Sequence, residues 1–166
     1  MMLEFIEVKD TNDQYCELIY SILKECGEDM YKTQSLNHWL NPYPISRIKE
    51  DILLKRLFLV KLDNQYVATF SLDSKKSRFF NDDEKYLYLS KFAVLPTQSG
   101  KGVGTRCLDY IQNIVKNENY KGIRLDVYDK SSHAVKFYIK NGFENLFIAK
   151  TTNFNVICME KRVELI

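Results

Sequence analysis

The spacing of apolar and polar residues predicts alternating strands and helices from the start of the chain. Residues 3–8 alternate between the two classes, which is typical of a half-buried strand. Candidate N-cap residues at 10–13 then precede an apolar stripe at helical spacing, and this first helix is expected to run to about Cys26 and to end at Gly27. A second amphipathic helix follows, with Ser46 as its expected cap.

The middle of the chain has the pattern of strands. Residues 57–62 and 65–72 flank Asp63-Asn64, a dipeptide typical of a two-residue hairpin turn. A polar and charged loop over 74–84 leads to a long strand at 85–94. These residues therefore predict a hairpin and one further strand.

The next residues predict two more helices with a strand between them. The helix that starts in the glycine-rich segment 97–104 has the following residues at core spacing: Val103, Cys107, Ile111, Ile114 and Val115. A strand at 122–127 leads to a short helix that Ser131 or Ser132 can cap and that Asn141-Gly142 ends.

Strands at 143–149 and 155–159 complete the order of elements. Strands that alternate with helices in this way predict an α/β fold with a mixed sheet. The length of 166 residues and the hydrophobic share of 45% are those of one globular domain, so residues 1–166 are expected to form a single domain.

Composition and charge argue against several classes of function. The net charge of +2, with both signs interspersed, is unlike that of a nucleic-acid-binding protein. No stretch reaches the roughly 20 apolar residues that a membrane span needs, and no signal-peptide pattern follows Met1, so a cytoplasmic protein is expected. The four cysteines lack the spacing of metal ligands, so no metal is expected and the thiols are expected to be buried and free.

The strongest chemical feature is the sequence Gly-Lys-Gly-Val-Gly at 100–104. Alternating glycines between a strand and a helix let backbone amides approach a phosphate closely. A Walker A loop is excluded because Gly102 follows Gly100-Lys101 where serine or threonine is required, and a dinucleotide fingerprint is excluded because Thr105 stands where its third glycine is required. The segment therefore predicts an anion-binding turn of another kind.

Two segments resemble the signatures of one family. Residues 92–96 together with 100–104 resemble the acetyl-CoA-binding motif of the GNAT superfamily of N-acetyltransferases. Residues 134–143, which read Ala-Val-Lys-Phe-Tyr-Ile-Lys-Asn-Gly-Phe, resemble its second signature, in the same order and at the family's separation. The resemblance is specific for residues 85–148, and residues 1–60 are expected to form the acceptor side.

The resemblance implies a fold and a donor site. The sheet would be mostly antiparallel but splayed at a parallel pair of strands, formed by 85–94 and 122–128. The pantetheine arm of acetyl-CoA would lie between these two strands, and its pyrophosphate would bind the amides of 99–104. A bulge near Phe92 would aim an amide at the thioester oxygen. The implied acetyl-CoA contacts are Phe92, Ala93, Val94, Ser99, Gly100, Lys101, Gly102, Val103, Gly104, Thr105 and Ser131.

The chain departs from the family's pattern at two positions. Ser99 stands where glutamine or arginine usually precedes the glycines, and Ser131 stands where an asparagine often starts the second signature. These departures give some support to an alternative, a non-catalytic module that senses acyl-CoA. Retention of the glycine loop and of Tyr138 favours the enzyme.

The implied reaction is direct attack of a primary amine on acetyl-CoA within a ternary complex. By resemblance, Tyr138 is the general acid that protonates the departing thiolate. The base is not assigned, because the fourth strand offers only Tyr86, Tyr88 and Ser90 where some acetyltransferases have a glutamate. A water held by Tyr88 is one alternative, and the acidic residues at 82–84 are expected to be solvated loop charges.

The segment 28–41 is predicted to be irregular and to cover the site of the acceptor amine. Candidate acceptor contacts are Tyr31, His38, Trp39 and Tyr88. Trp39 is expected to anchor the segment while His38 is exposed. The aromatic residues are compatible with a small-molecule or peptide amine, and the sequence leaves open whether the chain forms a homodimer.

Overall fold

A computed structural model describes residues 2–75 and 77–164. The strands are β1 (Leu3–Val8), β2 (Arg56–Leu62), β3 (Gln65–Asp73), β4 (Tyr86–Val94), β5 (Gly122–Tyr128), β6 (Glu144–Lys150) and β7 (Asn155–Arg162). The helices are α1 (Asp13–Gln34), α2 (Ile45–Leu54), α3 (Val103–Asn117) and α4 (Ser132–Lys140), with a short 3-10 helix at Pro96–Gln98.

The strands follow the order β1-β2-β3-β4-β5-β7-β6. Strands β4 and β5 are parallel, whereas the pairs β1–β2, β2–β3, β5–β7 and β6–β7 are antiparallel. The predicted mixed α/β fold with one parallel strand pair is therefore confirmed.

The chain divides into two compact units. Unit 1 consists of Met1–Leu72 and Lys91–Gly104, and unit 2 of Asp73–Ser90 and Thr105–Ile166. Strand β4 and helix α3 each contribute residues to both units.

Unit 1 has a core between α1, α2 and the strands β1, β2 and β4. Its buried residues are Val8, Cys16, Ile19, Ile22, Leu23, Cys26, Ile48, Ile52, Leu57, Leu59 and Ala93. Asn12 caps α1, because its side-chain oxygen accepts a hydrogen bond from the Tyr15 amide at 2.9 Å. The Cys26 thiol lies 3.2 Å from the Val94 carbonyl oxygen, to which it donates, and so links α1 to the end of β4.

Helix α1 is longer than the sequence predicts, because Gly27 does not end it. The helix runs through Gly27 to Gln34 and ends at Ser35, which is left-handed with φ 58°. Gly27 serves close packing instead: a Cβ atom there would lie 2.1 Å from the carbonyl oxygen of Trp39. The residues 28–34 expected to be irregular are therefore helical.

The remaining predictions for unit 1 are largely confirmed. Asp63 and Asn64 form the hairpin turn between β2 and β3 with φ values of 49° and 66°, as a two-residue turn requires. The expected cap of α2 is wrong, because Pro44 holds the N-cap position and makes no side-chain hydrogen bond there.

Unit 2 contains β5, β6, β7, α4 and most of α3. The predicted α3 positions Cys107, Ile111, Ile114 and Val115 are all buried. Helix α4 ends at Asn141, and Gly142 follows with φ 90°. Ser131 precedes α4 at the N-cap position, but its side chain makes no capping hydrogen bond, so the predicted capping role is wrong.

Candidate active site

Strand β4 is distorted one residue before Phe92. Lys91 has φ 52°, a left-handed conformation inside a strand. For a non-glycine residue this costs about 1–3 kcal/mol, and such strain is concentrated at functional sites. A local irregularity therefore stands next to the place where the sequence predicts a bulge.

The pairing of β4 with β5 is short. In unit 2 the parallel register joins Tyr86 to Gly122, Leu87 to Ile123 and Tyr88 to Arg124. Within the described residues of unit 2, both strands continue beyond these pairs, to Ser90 on β4 and to Tyr128 on β5. Backbone groups beyond the last pair are thus placed where an extended ligand can pair with them.

The glycine loop between the 3-10 helix and α3 has the geometry that the sequence predicts. Gly100 and Gly102 have φ values of 75° and 83°, which side chains rarely adopt. A Cβ atom at either position would meet no atom within 4 Å, so both glycines face open space. The loop fits a phosphate group because its backbone can be approached without steric hindrance.

Two buried polar atoms beside the predicted donor contacts have no hydrogen-bond partner among the described residues. They are the hydroxyl oxygen of Ser131 and the side-chain oxygen of Gln98, which comes just before the glycine loop. Buried polar groups in native proteins are usually paired, so an unpaired one indicates a missing partner such as a ligand. In unit 2 the Ser131 hydroxyl can donate to a carbonyl or phosphate oxygen of a ligand, and in unit 1 the Gln98 oxygen can accept from a ligand N–H or O–H group.

The other donor residues are placed as follows. Val94 and Phe92 lie at the end of β4, where the Phe92 ring meets Phe70 edge-on at 6.0 Å, and Ala93 between them is buried. The Ser99 amide donates to the Pro96 carbonyl at 3.0 Å, and the Lys101 amide donates to the Gln98 carbonyl at 3.3 Å. The remaining predicted contacts Val103, Gly104 and Thr105 form the first turn of α3.

A carboxylate that the sequence analysis missed lies next to Tyr88 in unit 2. The Tyr88 hydroxyl donates a hydrogen bond to the exposed carboxylate of Asp126 on β5. Burial, the charge of Asp126 and this hydrogen bond raise the pKa of Tyr88 well above its usual range. Asp126 is therefore an ionisable group beside a tyrosine that stays protonated.

Asp126 also acts on neighbouring groups of unit 2. Cys158 is its register partner on β7, where burial first and the charge of Asp126 second raise the pKa of the thiol to about 11. Tyr138 lies on α4 between the rings of Phe137 and Phe143, each 5.3 Å away. Desolvation, followed by the charge of Asp126, raises the pKa of Tyr138, so its hydroxyl keeps its proton at neutral pH.

A pocket of about 70 Å³ lies within unit 1. It is lined by Leu23, His38, Trp39, Asn41, Tyr43 and Lys91. The Lys91 ammonium lies 4.3 Å from the centre of the Tyr43 ring, and the His38 and Trp39 rings are 6.3 Å apart. The pocket thus joins two predicted acceptor residues to the distorted position of β4.

The exposure expected for His38 is wrong, whereas the acceptor role of Tyr31 stays a prediction. His38 is partly buried rather than exposed, and burial lowers its pKa, so its imidazole is neutral at neutral pH. Tyr31 lies in the last turns of α1 with 52% of its surface exposed, and it is not among the residues that line the pocket.

The family model described as the acetyltransferase (GNAT) family matches residues 16–143 of the chain. The chain belongs to this family. It uses acetyl-CoA as donor and is an acetyl-CoA-dependent acetyltransferase, as the two sequence signatures predict. A search of the curated proteins gave no match to this chain.

Solved structures of GNAT acetyltransferases share the fold. The ribosomal-protein-S18-alanine N-acetyltransferase of Escherichia coli is 16% identical with a TM-score of 0.72, covering 99% of this chain and 96% of that chain. The PaiA N-acetyltransferase of Thermoplasma acidophilum, solved in complex with coenzyme A, is 17% identical with a TM-score of 0.74, covering 98% and 99% of the two chains. At these identities the likeness shows the fold alone.

Two further properties concern the described residues of this acetyltransferase. No helix in that part of the chain is long and apolar enough to cross a membrane. Over the same residues, no group of three or more histidine, cysteine, aspartate or glutamate side chains is arranged to hold a metal ion.

The loop before β4 is held to the sheet of this GNAT protein by Arg124. Both guanidinium NH2 groups of Arg124 donate to the Asp82 carboxylate, at 2.8 and 2.7 Å, and its Nε donates to Glu160 at 2.9 Å. The same guanidinium lies 4.3 Å from the ring centre of Phe80 and 4.0 Å from that of Tyr86. Asp82 is therefore part of an ion-paired anchor, and the expectation of a merely solvated charge is wrong for it.

The strand pattern of β5 contains the signal for the residues that were missed. Its apolar positions are buried, while Arg124 and Asp126 occupy the opposite face. Two charges of opposite sign on one face of a strand that pairs with β4 indicate a polar site on that face.

Proposed function

We propose that this acetyltransferase moves the acetyl group of acetyl-CoA onto a primary amine of a small molecule or peptide, by direct attack in a ternary complex. The observation that carries the proposal is the Tyr88–Asp126 pair, a carboxylate and a phenol in unit 2 whose environment also includes Tyr138. The proposal includes a cytoplasmic location, with which the buried free thiols agree.

On the donor side, the amides of the glycine loop hold the pyrophosphate and Ser131 donates to the polar arm of coenzyme A. The backbone of Phe92 and Val94 pairs with that arm as an additional strand would. An amide beside the Lys91 distortion donates to the thioester oxygen, where negative charge develops as the amine attacks. The strain at Lys91 is the conformational cost of aiming this amide.

Asp126 is assigned as the group that accepts the proton of the amine. An alkylamine is mostly protonated at neutral pH, so it must lose a proton before or as it attacks. Tyr88 donates to Asp126 and so fixes the orientation of the carboxylate. The new C–N bond forms as the C–S bond breaks, and Tyr138 gives its proton to the departing thiolate.

The acceptor side is assigned to the pocket lined by His38, Trp39 and Lys91. Its aromatic walls suit the apolar part of a small amine or the end of a peptide. The Lys91 ammonium disfavours a polycation, because like charges in a small pocket repel one another.

Acetyl-CoA binding tests the donor site. We expect Gly102→Asp to weaken binding by about 100-fold or more, because a carboxylate enters the phosphate loop. Gly102→Asn is the matched control, since it has the same shape without the charge and asparagine tolerates positive φ better than most residues. Isothermal titration calorimetry on the three proteins measures the effect. No binding by the folded native chain, or unchanged binding by Gly102→Asp, would refute the assigned loop.

Thiol release with a panel of amines tests the reaction itself. Tyr138→Phe is expected to lower kcat by about 100-fold while acetyl-CoA binding is kept, because only the proton donor is removed. Tyr120→Phe, which removes a hydroxyl from a tyrosine stacked on Lys85, is the control and should leave kcat unchanged. Binding of acetyl-CoA without turnover of any amine would instead support the acyl-CoA sensor.

A further inference from the structure

A groove of about 570 Å³ lies on one face of the sheet in unit 2, between the loop before β4 and strand β6. Its lining includes four apolar residues and an ion pair, which are Phe79, Phe80, Leu146, Phe147, Asp82 and Arg124. Leu146 and Phe147 are 42% and 41% exposed, although large apolar side chains are usually buried. Contiguous exposed apolar groups with polar neighbours are typical of a binding site.

A bulge in β6 directs two successive side chains into this groove. The register with β7 passes over Leu146, and the next residue, Phe147, pairs with Cys158. Side chains of a regular strand alternate between the two faces of the sheet, yet Leu146 and Phe147 both line the groove. The Phe147 ring also meets the Phe80 ring of the opposite wall at 5.3 Å. The bulge therefore adds Leu146 to the apolar surface that β6 presents there.

The cation in the groove is balanced by carboxylates. The Arg124 side chain is only 7% exposed, and its guanidinium donates to both Asp82 and Glu160. Because two carboxylates surround this guanidinium, it does not favour an anionic ligand. The rest of the lining is mainly aromatic and aliphatic, so the groove suits an uncharged apolar group.

Strand register sets the distance between the groove and Asp126. Asp126 pairs with Cys158 on β7 and Cys158 pairs with Phe147 on β6, so the three side chains share one face of the sheet. Neighbouring strands lie about 4.8 Å apart, which places Phe147 about 10 Å from Asp126. An extended peptide rises about 3.3 Å per residue. A peptide whose amino group is at Asp126 therefore reaches the groove with the side chain of its third residue.

We propose that this groove is a subsite for a peptide acceptor and binds a large apolar side chain at the third residue from the acetylated amino terminus. The proposal rests on the proposed function, because the assignment of Asp126 as the base fixes where the amine lies. The subsite is additional to the pocket of unit 1. Leu146 and Phe147 determine its specificity, since their exposed apolar surface is what an apolar third residue covers.

Peptide binding to the protein saturated with coenzyme A tests the groove without turnover. The probes are two amidated hexapeptides with a free amino terminus, Ala-Ser-Phe-Ser-Gly-Ser and Ala-Ser-Ser-Ser-Gly-Ser. Isothermal titration calorimetry should show the native chain binding the phenylalanine peptide about tenfold or more tightly, because burial of the aromatic ring stabilises the complex. In the double variant L146A/F147A this preference should fall to about threefold or less, because the wall formed by β6 is removed.

Ile148→Ala is the matched control. Ile148 is 66% exposed on the same strand, but it pairs with Ile157 and so lies on the opposite face of the sheet from Phe147. This variant should keep the native preference for the phenylalanine peptide. Circular dichroism and acetyl-CoA binding show that each variant is folded, so loss of folding cannot be mistaken for loss of the subsite.

Several outcomes would overturn the proposal. They are no binding of either peptide, equal affinity for both, or a preference that the double variant keeps. Tighter binding of Ala-Phe-Ser-Ser-Gly-Ser, which has the same composition with phenylalanine second, would contradict the spacing. Self-association of the native chain that the double variant abolishes would assign the groove to a second copy of the chain instead.

Thiol release from acetyl-CoA separates this result from the proposed function. Selective binding of the phenylalanine peptide without its acetylation would support the groove and refute Asp126 as the base for that acceptor. Acetylation of small amines by a chain that does not distinguish the two peptides would support the reaction and refute the groove.

Discussion

Asp126→Asn is expected to lower kcat for acetyl transfer by about 100- to 1,000-fold, within the range of about 10²–10⁴ that general acid–base catalysis typically contributes. The substitution keeps the size of the side chain and its contact with Tyr88 but removes the group that accepts the proton of the amine. Steady-state kinetics at saturating acetyl-CoA and acceptor measure the loss.

The pH dependence distinguishes a lost base from a distorted site. Without Asp126 the amine must lose its proton to solvent, so the rate of the variant should rise about tenfold for each pH unit below the pKa of the amine. Tyr88→Phe is the matched control, because it removes the hydrogen bond to Asp126 and retains the carboxylate, and it should cost much less. A variant that keeps the native rate and pH profile would rule out Asp126 as the base.

Gly27→Ala is expected to destabilise the protein by about 3 kcal/mol, although alanine is the better helix former by about 1 kcal/mol. The added Cβ atom would lie 2.1 Å from the Trp39 carbonyl oxygen and 2.8 Å from its carbon, and backbone atoms cannot move aside cheaply. Thermal unfolding followed by circular dichroism should show the midpoint about 10 °C lower.

A control in the same helix separates packing from helix propensity. Ser21 is exposed on α1, so Ser21→Ala changes propensity without adding a contact and should leave stability unchanged or slightly higher. If Gly27→Ala were as stable as Ser21→Ala, the close approach of α1 to Trp39 would not exist in solution. Since Trp39 lines the acceptor pocket, the Gly27 variant should also bind the acceptor less tightly.

The regular elements could be predicted because their signals are local. The helical stripe of α3 and the Asp63-Asn64 turn depend on neighbours within a few residues, and both have the predicted structure. The glycine loop likewise needs positive φ at Gly100 and Gly102, which the residue type itself reveals. The backbone conformation of the glycine loop, the candidate binding site for the phosphates of the donor, could therefore be predicted from the sequence.

Apart from the two wrong helix caps, the errors share a different cause, which is contact between residues far apart in the chain. Gly27 has the local appearance of a helix end, but its function is set by Trp39. Asp82 has the appearance of a solvated loop charge until Arg124 is placed beside it by the sheet. The alternation of β5 places Arg124 and Asp126 on one face, but only the folded structure shows that the Asp126 carboxylate contacts the Tyr88 hydroxyl.

The division of the chain into interleaved segments has a consequence for how the protein folds as it is synthesised. The core of unit 1 contains both Val8 and Ala93, so it cannot close until the fourth strand has left the ribosome. Unit 2 completes its sheet later still, because β5 pairs with β7, whose last residue is Arg162. Contacts this distant in sequence slow folding and leave the nascent amino-terminal half exposed for most of translation. Neither unit can be produced alone as one continuous fragment, because each unit is built from two separate segments of the chain.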